Sequence, residues 1–382
     1  MECLDSDDLG IQLKGELAPW PLQDDFRKDW SLLLSELPYK TPFCRLEWIE
    51  IGLSVYGEGN HMVPCRFYDS DGVLQAIGLF NKLSEPGRIL PHSVVRTVEY
   101  NSQRIYPLIA KNASIMAEAM KTFRDFFDST VDYYDFYKLD PMGNGLEELT
   151  SELDRAGLSY DIETFNEQPH FDLTLSWDDY LKERTQGHRK KIRRYTRLIQ
   201  EKYPDYQFIR LRTPEEFAAY GLDTVLEEIL VLFQKSWQAE YLLEHGNLAM
   251  KLWEFYCQVS KVFAPLGLLD ICLLKADNTL LAYELNLYEE GSLYMLFGTY
   301  NQEFSQWSPG NAILSEIIQD SIKREYCRLE FGGEYLEYKK LWTKQSTNSY
   351  HLRLYGKTLR SNLKCLVMKK KKVKARNDNQ ES

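Results

Sequence analysis

The chain has 382 residues, enough for two domains with separate cores. Hydrophobic residues make up 44% and charged residues 27%, an ordinary globular balance, while a net charge of −11 argues against a general nucleic-acid binder. Seven cysteines without CxxC spacing read as reduced core thiols of a cytoplasmic protein, not as a disulfide framework or zinc site. The six histidines show no metal spacing, so no metal is expected. The start Met1-Glu2-Cys3-Leu4-Asp5 has no apolar leader, and no apolar run approaches the roughly 20 residues of a membrane span.

Residues 1–20 are polar and are expected to be poorly ordered. Phe26, Trp30, Leu33 and Leu34 share one face of a helix over 24–37, and a short helical or turn segment carries Phe43 to Trp48. Asp71-Gly72 between the apolar runs 65–68 and 73–80 marks a hairpin. An extended stretch at 94–100, a helix at 114–127 and a strand at 133–139 follow. Helix 146–156 and extended 159–175 lead to Ser176, a candidate N-cap with Asp179 three residues on. A basic helical run comes next. Helices are expected at 223–242 and 248–263, a hairpin at 268–275 and 280–288, a strand at 292–300, a helix at 311–325 and a strand at 327–331.

The second half thus repeats the order of the first. Asp71-Gly72-Val73-Leu74-Gln75-Ala76 lines up with Asp277-Asn278-Thr279-Leu280-Leu281-Ala282, and Tyr100-Asn101 with Tyr300-Asn301. This reads as a tandem duplication of one α/β unit. Hairpin-linked strands exclude a purely parallel sheet, so each unit is expected to hold a mixed, mostly antiparallel sheet flanked by helices. The expected division is a polar segment 1–20, a degenerate first copy 21–150, a bridge with the basic helix 151–205, a second copy 206–360 carrying the active site, and a basic tail 361–382.

The copies differ where ligands would sit. The second has Ser308-Pro309-Gly310-Asn311-Ala312 at the start of its helix and Gly332-Gly333 after its last strand; the first has neither. A helix N-terminus with proline and glycine presents free N–H groups and the positive dipole end to an anion. Glu284 and Asn286 share one face of the hairpin, and Glu330 ends a strand beside the two glycines; either carboxylate suits a general base. Tyr338 is placed to protonate a leaving thiolate and Lys339 to bind an anionic substrate. Arg189, Lys190, Arg193, Arg194 and Arg197 cover the outer face of the basic helix, a wall for phosphate or carboxylate. The alternative for each is a structural or solvent-facing side chain. Lys369–Lys372, Lys374 and Arg376 form a second cationic run, expected to be disordered and able to meet anionic membrane or nucleic acid.

Taken in order, the basic helix Arg189–Arg194, Trp237 in a helix, the hairpin from Gly267 to Ala282, Ser308-Pro309-Gly310, and Glu330-Phe331-Gly332-Gly333-Glu334 with Tyr338-Lys339 resemble the GNAT-type acyltransferases of the Fem-like branch. More closely, they resemble bacterial acetyltransferase-domain proteins similar to cellulose-biosynthesis acetyltransferases. The resemblance spans 176–345 and reaches the first half through the duplication. It implies two GNAT folds, acetyl-CoA as donor on residues 308–312, and an amine or hydroxyl acceptor on a saccharide, peptide or small molecule. Arg189, Arg193, Arg194, Trp237 and Lys339 would bind substrate. The family loop reads R/Q-x-x-G-x-G/A, and Gln306 to Gly310 is one residue longer. Fem-type relatives use aminoacyl-tRNA, which would make tRNA the one nucleic-acid partner; a non-catalytic binding module is the third reading.

Overall fold

Apolar runs separated by short polar turns build the two hairpins, and both form. The computed structural model describes residues 12–57, 61–87, 91–101, 103–106, 108–127, 129–140, 145–236, 238 and 248–366. In it Met62–Tyr68 pairs antiparallel with Leu74–Glu85, and Leu269–Ala276 with Thr279–Glu289. Asp277 and Asn278 both take positive φ, 48° and 57°, as a tight two-residue hairpin turn requires.

The chain forms two compact units, and neither is one continuous segment. The first comprises Met1–Ile49, Glu58–Asn166 and Asn348–Ser382; the second comprises Glu50–Gly57 and Glu167–Thr347. In the first unit the strand order is Lys14–Leu17, Met62–Tyr68, Leu74–Glu85, His92–Thr97, Tyr133–Leu139, then the later part of Gln345–Tyr355. In the second the order is Gln207–Leu211, Leu269–Ala276, Thr279–Glu289, Ser292–Tyr300, Arg328–Glu330, then the end of Tyr160–Asp172. All neighbours run antiparallel except His92–Thr97 beside Tyr133–Leu139 and Ser292–Tyr300 beside Arg328–Glu330, which are parallel. The two units therefore share one mixed-sheet topology, as the internal repeat predicted.

Equivalent helices cover the sheets. Ala113–Phe126 is capped by Asn112, whose side chain accepts from the Ile115 N–H, and it buries Ile115, Met116, Met120 and Phe123. Pro309–Lys323 buries Ala312, Ile313, Ile317 and Ile318 in the second unit's core, together with Ile192 and Ile199 of the basic helix Gln186–Lys202. Each large aliphatic side chain so buried contributes about 1.5–3 kcal/mol.

Several expectations change. Lys14–Leu17, inside the segment expected to be disordered, is a strand against Cys65–Tyr68. Residues 361–366, expected to belong to a disordered tail, continue a helix at 359–366. Gln207–Leu211, the helix Glu337–Trp342 and the strand Gln345–Tyr355 were not foreseen, although Tyr350, Leu352 and Leu354 alternate with His351 and Arg353 and turn to the core. The helix expected over 223–242 is observed as Leu222–Gln234, and its remainder lies largely outside the described residues.

One difference between the units bears on function. In the first, parallel pairing ends at Arg96 and Asp135, and the chain then returns: Ile105 bridges Leu139, its N–H donating to the Lys138 carbonyl at 2.9 Å. Arg104, only 2% exposed, faces Asp140 at 3.6 Å. In the second, pairing ends at Tyr294 and Glu330, and among the described residues no such bridge follows. Among the described residues no strand pairs with that side of residues 296–300.

Candidate active site

Beside this break lies the cluster the sequence suggested from separate motifs. Glu284 sits in Thr279–Glu289, opposite Cys272 on one side and Gly298 on the other. Its carboxyl group lies across Gly298: a Cβ there would stand 2.1 Å from Glu284 Cδ. A glycine inside a strand marks such a close approach. The same strand pair carries a bulge, since Leu285 pairs with Phe297 but Asn286 with Met295, leaving Leu296 extra.

The helix Glu337–Trp342 brings up the other groups. Lys339 is 5% exposed, and its ammonium donates to the Gly332 carbonyl. Gly332 and Gly333 take φ of 62° and 54°, a left-handed pair that turns the chain around the lysine; a Cβ on Gly333 would stand 3.5 Å from Lys339 Nζ. No carboxylate lies within ion-pair distance of Lys339 among the described residues. Burial lowers its pKa to about 8, with the charges of Glu284 and Glu334 opposing. Burial raises Glu284 to about 8, with Lys339 opposing. Tyr338, 51% exposed, is raised to about 12 by desolvation and then by the Glu284 charge. A carboxyl, an ammonium and a phenol thus meet in one environment, and the first two exchange protons near the same pH.

Glu330 is placed differently. It is fully buried, and its Oε1 accepts from Arg328 Nε at 2.7 Å; Arg328 also reaches Asp172 at 3.6 Å and Thr347 at 3.3 Å. Its position is that of an ion-paired strand residue.

At the start of Pro309–Lys323, Ser308 adopts the left-handed conformation with φ 55°, and its side chain caps nothing. Its carbonyl accepts from the N–H groups of Asn311 and Ala312, each at 3.1 Å. Proline lacks an N–H. The Gly310 N–H is therefore the first-turn donor that Ser308 does not engage. A Cβ on Gly310 would stand 3.1 Å from the Tyr300 ring.

The basic helix Gln186–Lys202 runs between these parts. Near its start His188 meets Trp342 edge-on at 5.0 Å; at its end Tyr203 packs on Trp307 at 5.7 Å and Phe304 at 5.9 Å. Arg197 pairs with Glu201 at 3.4 Å, while Arg189, Lys190, Lys191, Arg193 and Arg194 have no acidic partner among the described residues. Trp237 lies outside the described residues. Reading the sequence missed Gly298 and Gln238, whose Nε2 donates to the Gly298 carbonyl at 3.2 Å. The strand-interior glycine was the available signal for the first; the second had none.

Residues 186–340 match the family described as Acetyltransferase (GNAT) domain. No curated protein matches the chain. Among solved structures, a conserved protein of unknown function from Bacteroides thetaiotaomicron is similar at TM-score 0.54 and 10% identity, covering 88% of this chain and 99% of that one. The C-terminal domain of an Agrobacterium fabrum protein, provisionally named a lysylphosphatidylglycerol synthetase, gives TM-score 0.52 at 10% identity, over 91% and 96% of the two chains. L-PGS from Bacillus licheniformis gives 0.50 at 14% identity, over 89% and 94%. At these identities the likenesses establish the fold, and the family match covers the basic helix, the hairpin, the Ser308 turn and Lys339. The chain thus has the GNAT fold, and the part that matches the family model, residues 186–340, lies in the second unit.

Proposed function

We propose that the second unit transfers an acetyl group from acetyl-CoA to an amine or hydroxyl of a saccharide, peptide or small molecule. The observation that carries this reading is the half-buried Glu284 carboxyl, which lies across Gly298 and feels the charge of Lys339, with Tyr338 in turn feeling the charge of Glu284. Ionised Glu284 removes the acceptor's proton, and the freed lone pair forms a bond to the thioester carbonyl carbon. The C–S bond then breaks, and Tyr338, which holds its proton to about pH 12, protonates the departing thiolate. Lys339 supplies positive charge in a site where water screens it little. Glu330, the other candidate base, is held by Arg328, and we assign the role to Glu284. The helix start at Ser308, Pro309, Gly310, Asn311 and Ala312 would receive the donor's phosphates through the Gly310 N–H and the helix dipole. Arg189, Arg193 and Arg194 would hold anionic parts of donor or acceptor.

Calorimetry with acetyl-CoA on the wild type and Gly310→Trp tests the donor assignment. Binding by the wild type and its loss in the variant are expected. No binding by the wild type overturns the assignment, and undiminished binding by the variant removes the turn from it. Five cations on one helix of an acidic chain, without an acidic partner among the described residues, favour a second reading, a Fem-like transfer from aminoacyl-tRNA. Binding of charged tRNA that falls steeply with salt, and is lost on neutralising 189–194, would select that reading.

A further inference from the structure

The helix at 359–366 in the first unit turns its leucines to solvent. Leu359 is 83% exposed, Leu363 64% and Leu366 58%. A helix lying on a core ordinarily buries such residues. Here the inner face carries others. Ser361 is fully buried and donates to the Asp132 carbonyl at 2.7 Å, and Cys365 packs against Tyr133 and Tyr355. Positions 361, 364 and 365 share an arc of about 100°, opposite the leucines. Position 364 holds a lysine, whose Nζ stands 4.6 Å from the centre of the Tyr133 ring.

Lys364 meets a second cation there. Arg353, on Gln345–Tyr355, lies 5.2 Å from the same ring, and both side chains line one cleft of about 340 Å³, bounded also by Asp161, Glu163, His351 and Tyr355. All of these residues belong to the first unit. The acidic groups already have partners. Buried Asp135, beneath the cleft, accepts from Arg353 Nε at 2.6 Å and Nη2 at 3.0 Å; Glu163 meets His351 at 3.3 Å, and Asp161 accepts from the Tyr355 hydroxyl. Arg353 Nη1 and Lys364 Nζ are left as donors with no acceptor among the described residues. Burial and then the Arg353 charge lower the Lys364 pKa, the mark of two like charges held close. A dianion relieves that repulsion and takes up both donors. The cleft falls in the size range of small-molecule sites. The acyl-transfer chemistry of the second unit uses none of these residues.

We propose that the first unit binds a phosphate monoester in this cleft, through Arg353 and Lys364. Such a group carries about −1.5 to −2 charge at pH 7, which matches two cations. The guanidinium offers planar paired donors to its oxygens, and the ammonium a mobile point charge.

The test is calorimetry of the full chain with glycerol 3-phosphate, beside flotation with vesicles containing phosphatidic acid, which carries the same monoester on a lipid. Saturable binding of glycerol 3-phosphate is expected, with glycerol inert. Lys364→Gln should weaken it at least tenfold and Lys364→Glu should abolish it. Circular dichroism should not change in either variant, since the Lys364 ammonium makes no hydrogen bond or ion pair among the described residues. Binding confined to the vesicles, and lost in Lys364→Glu, keeps the site and assigns its phosphate to a lipid headgroup. Absence of binding to both probes overturns the proposal, and so does binding that Lys364→Gln and Lys364→Glu leave intact.

Discussion

Glu284→Gln is the sharpest perturbation of the site. Glutamine keeps the shape that lies across Gly298 and removes only the ability to ionise. In the wild type the Glu284 pKa of about 8 leaves roughly one site in ten ionised at pH 7, so kcat/KM at pH 7 should be about a tenth of its plateau. The acidic limb should rise through about pH 8. Above that pH Lys339, also near 8, loses its charge, and the profile should bend down again. Lys339→Met removes the charge that opposes the rise in Glu284 and should move the acidic limb to higher pH. Glu284→Gln should lower kcat/KM by about 10²–10⁴, or roughly 3–5 kcal/mol of transition-state stabilisation, and abolish the acidic limb. Thiol release from acetyl-CoA with a responsive acceptor, followed from pH 5.5 to 9.5, reads both effects. A limb below pH 6, or one that survives in Glu284→Gln, would refute the assignment of the base.

Gly298→Ala places a methyl where the Glu284 carboxyl lies; activity should fall as in Glu284→Gln, with stability lowered by about 1–3 kcal/mol in urea titration. Both ring nitrogens of His188 are buried without hydrogen-bond partners among the described residues, and burial lowers its pKa to about 4. The unfolded chain therefore binds this proton first, and stability should fall by roughly 3 kcal/mol as pH drops from about 6.5 to about 4; His188→Phe should flatten that part of the pH–stability curve. Arg193→Glu with Arg194→Glu should raise KM for the anionic donor several-fold and reduce its salt dependence, leaving thermal stability within about 0.5 kcal/mol because both side chains are exposed.

Much of the fold was readable because its signals are local. Asp71-Gly72 and the Asp277-Asn278 turn announced their hairpins, and the four-residue spacing of Phe26 and Trp30 announced a helix. Gln207–Leu211 and Gln345–Tyr355 were missed because they join sheets through partners distant in sequence. Lys14–Leu17 is mostly exposed, and backbone pairing with Cys65–Tyr68 makes it a strand despite its polar sequence. The composition of the two units from non-contiguous pieces has the same origin, since no local pattern encodes which strand closes which sheet. At the site, Glu284, Tyr338 and Lys339 were each found singly. Their meeting depends on the left-handed Gly332-Gly333 turn and on the space left by Gly298. The proposed preference for Glu284 over Glu330 as base rests on the Arg328 ion pair to Glu330, which becomes visible only with side chains in place.

The most direct test of the central assignment is thiol release from acetyl-CoA at pH 8 across a panel of amine and hydroxyl acceptors, run beside calorimetric binding of acetyl-CoA, with wild type and Glu284→Gln. Acceptor-dependent release by the wild type, at least a hundredfold slower in the variant while the donor still binds, is the predicted result. Full activity in Glu284→Gln, or donor binding with no acceptor-dependent release by the wild type, would contradict it.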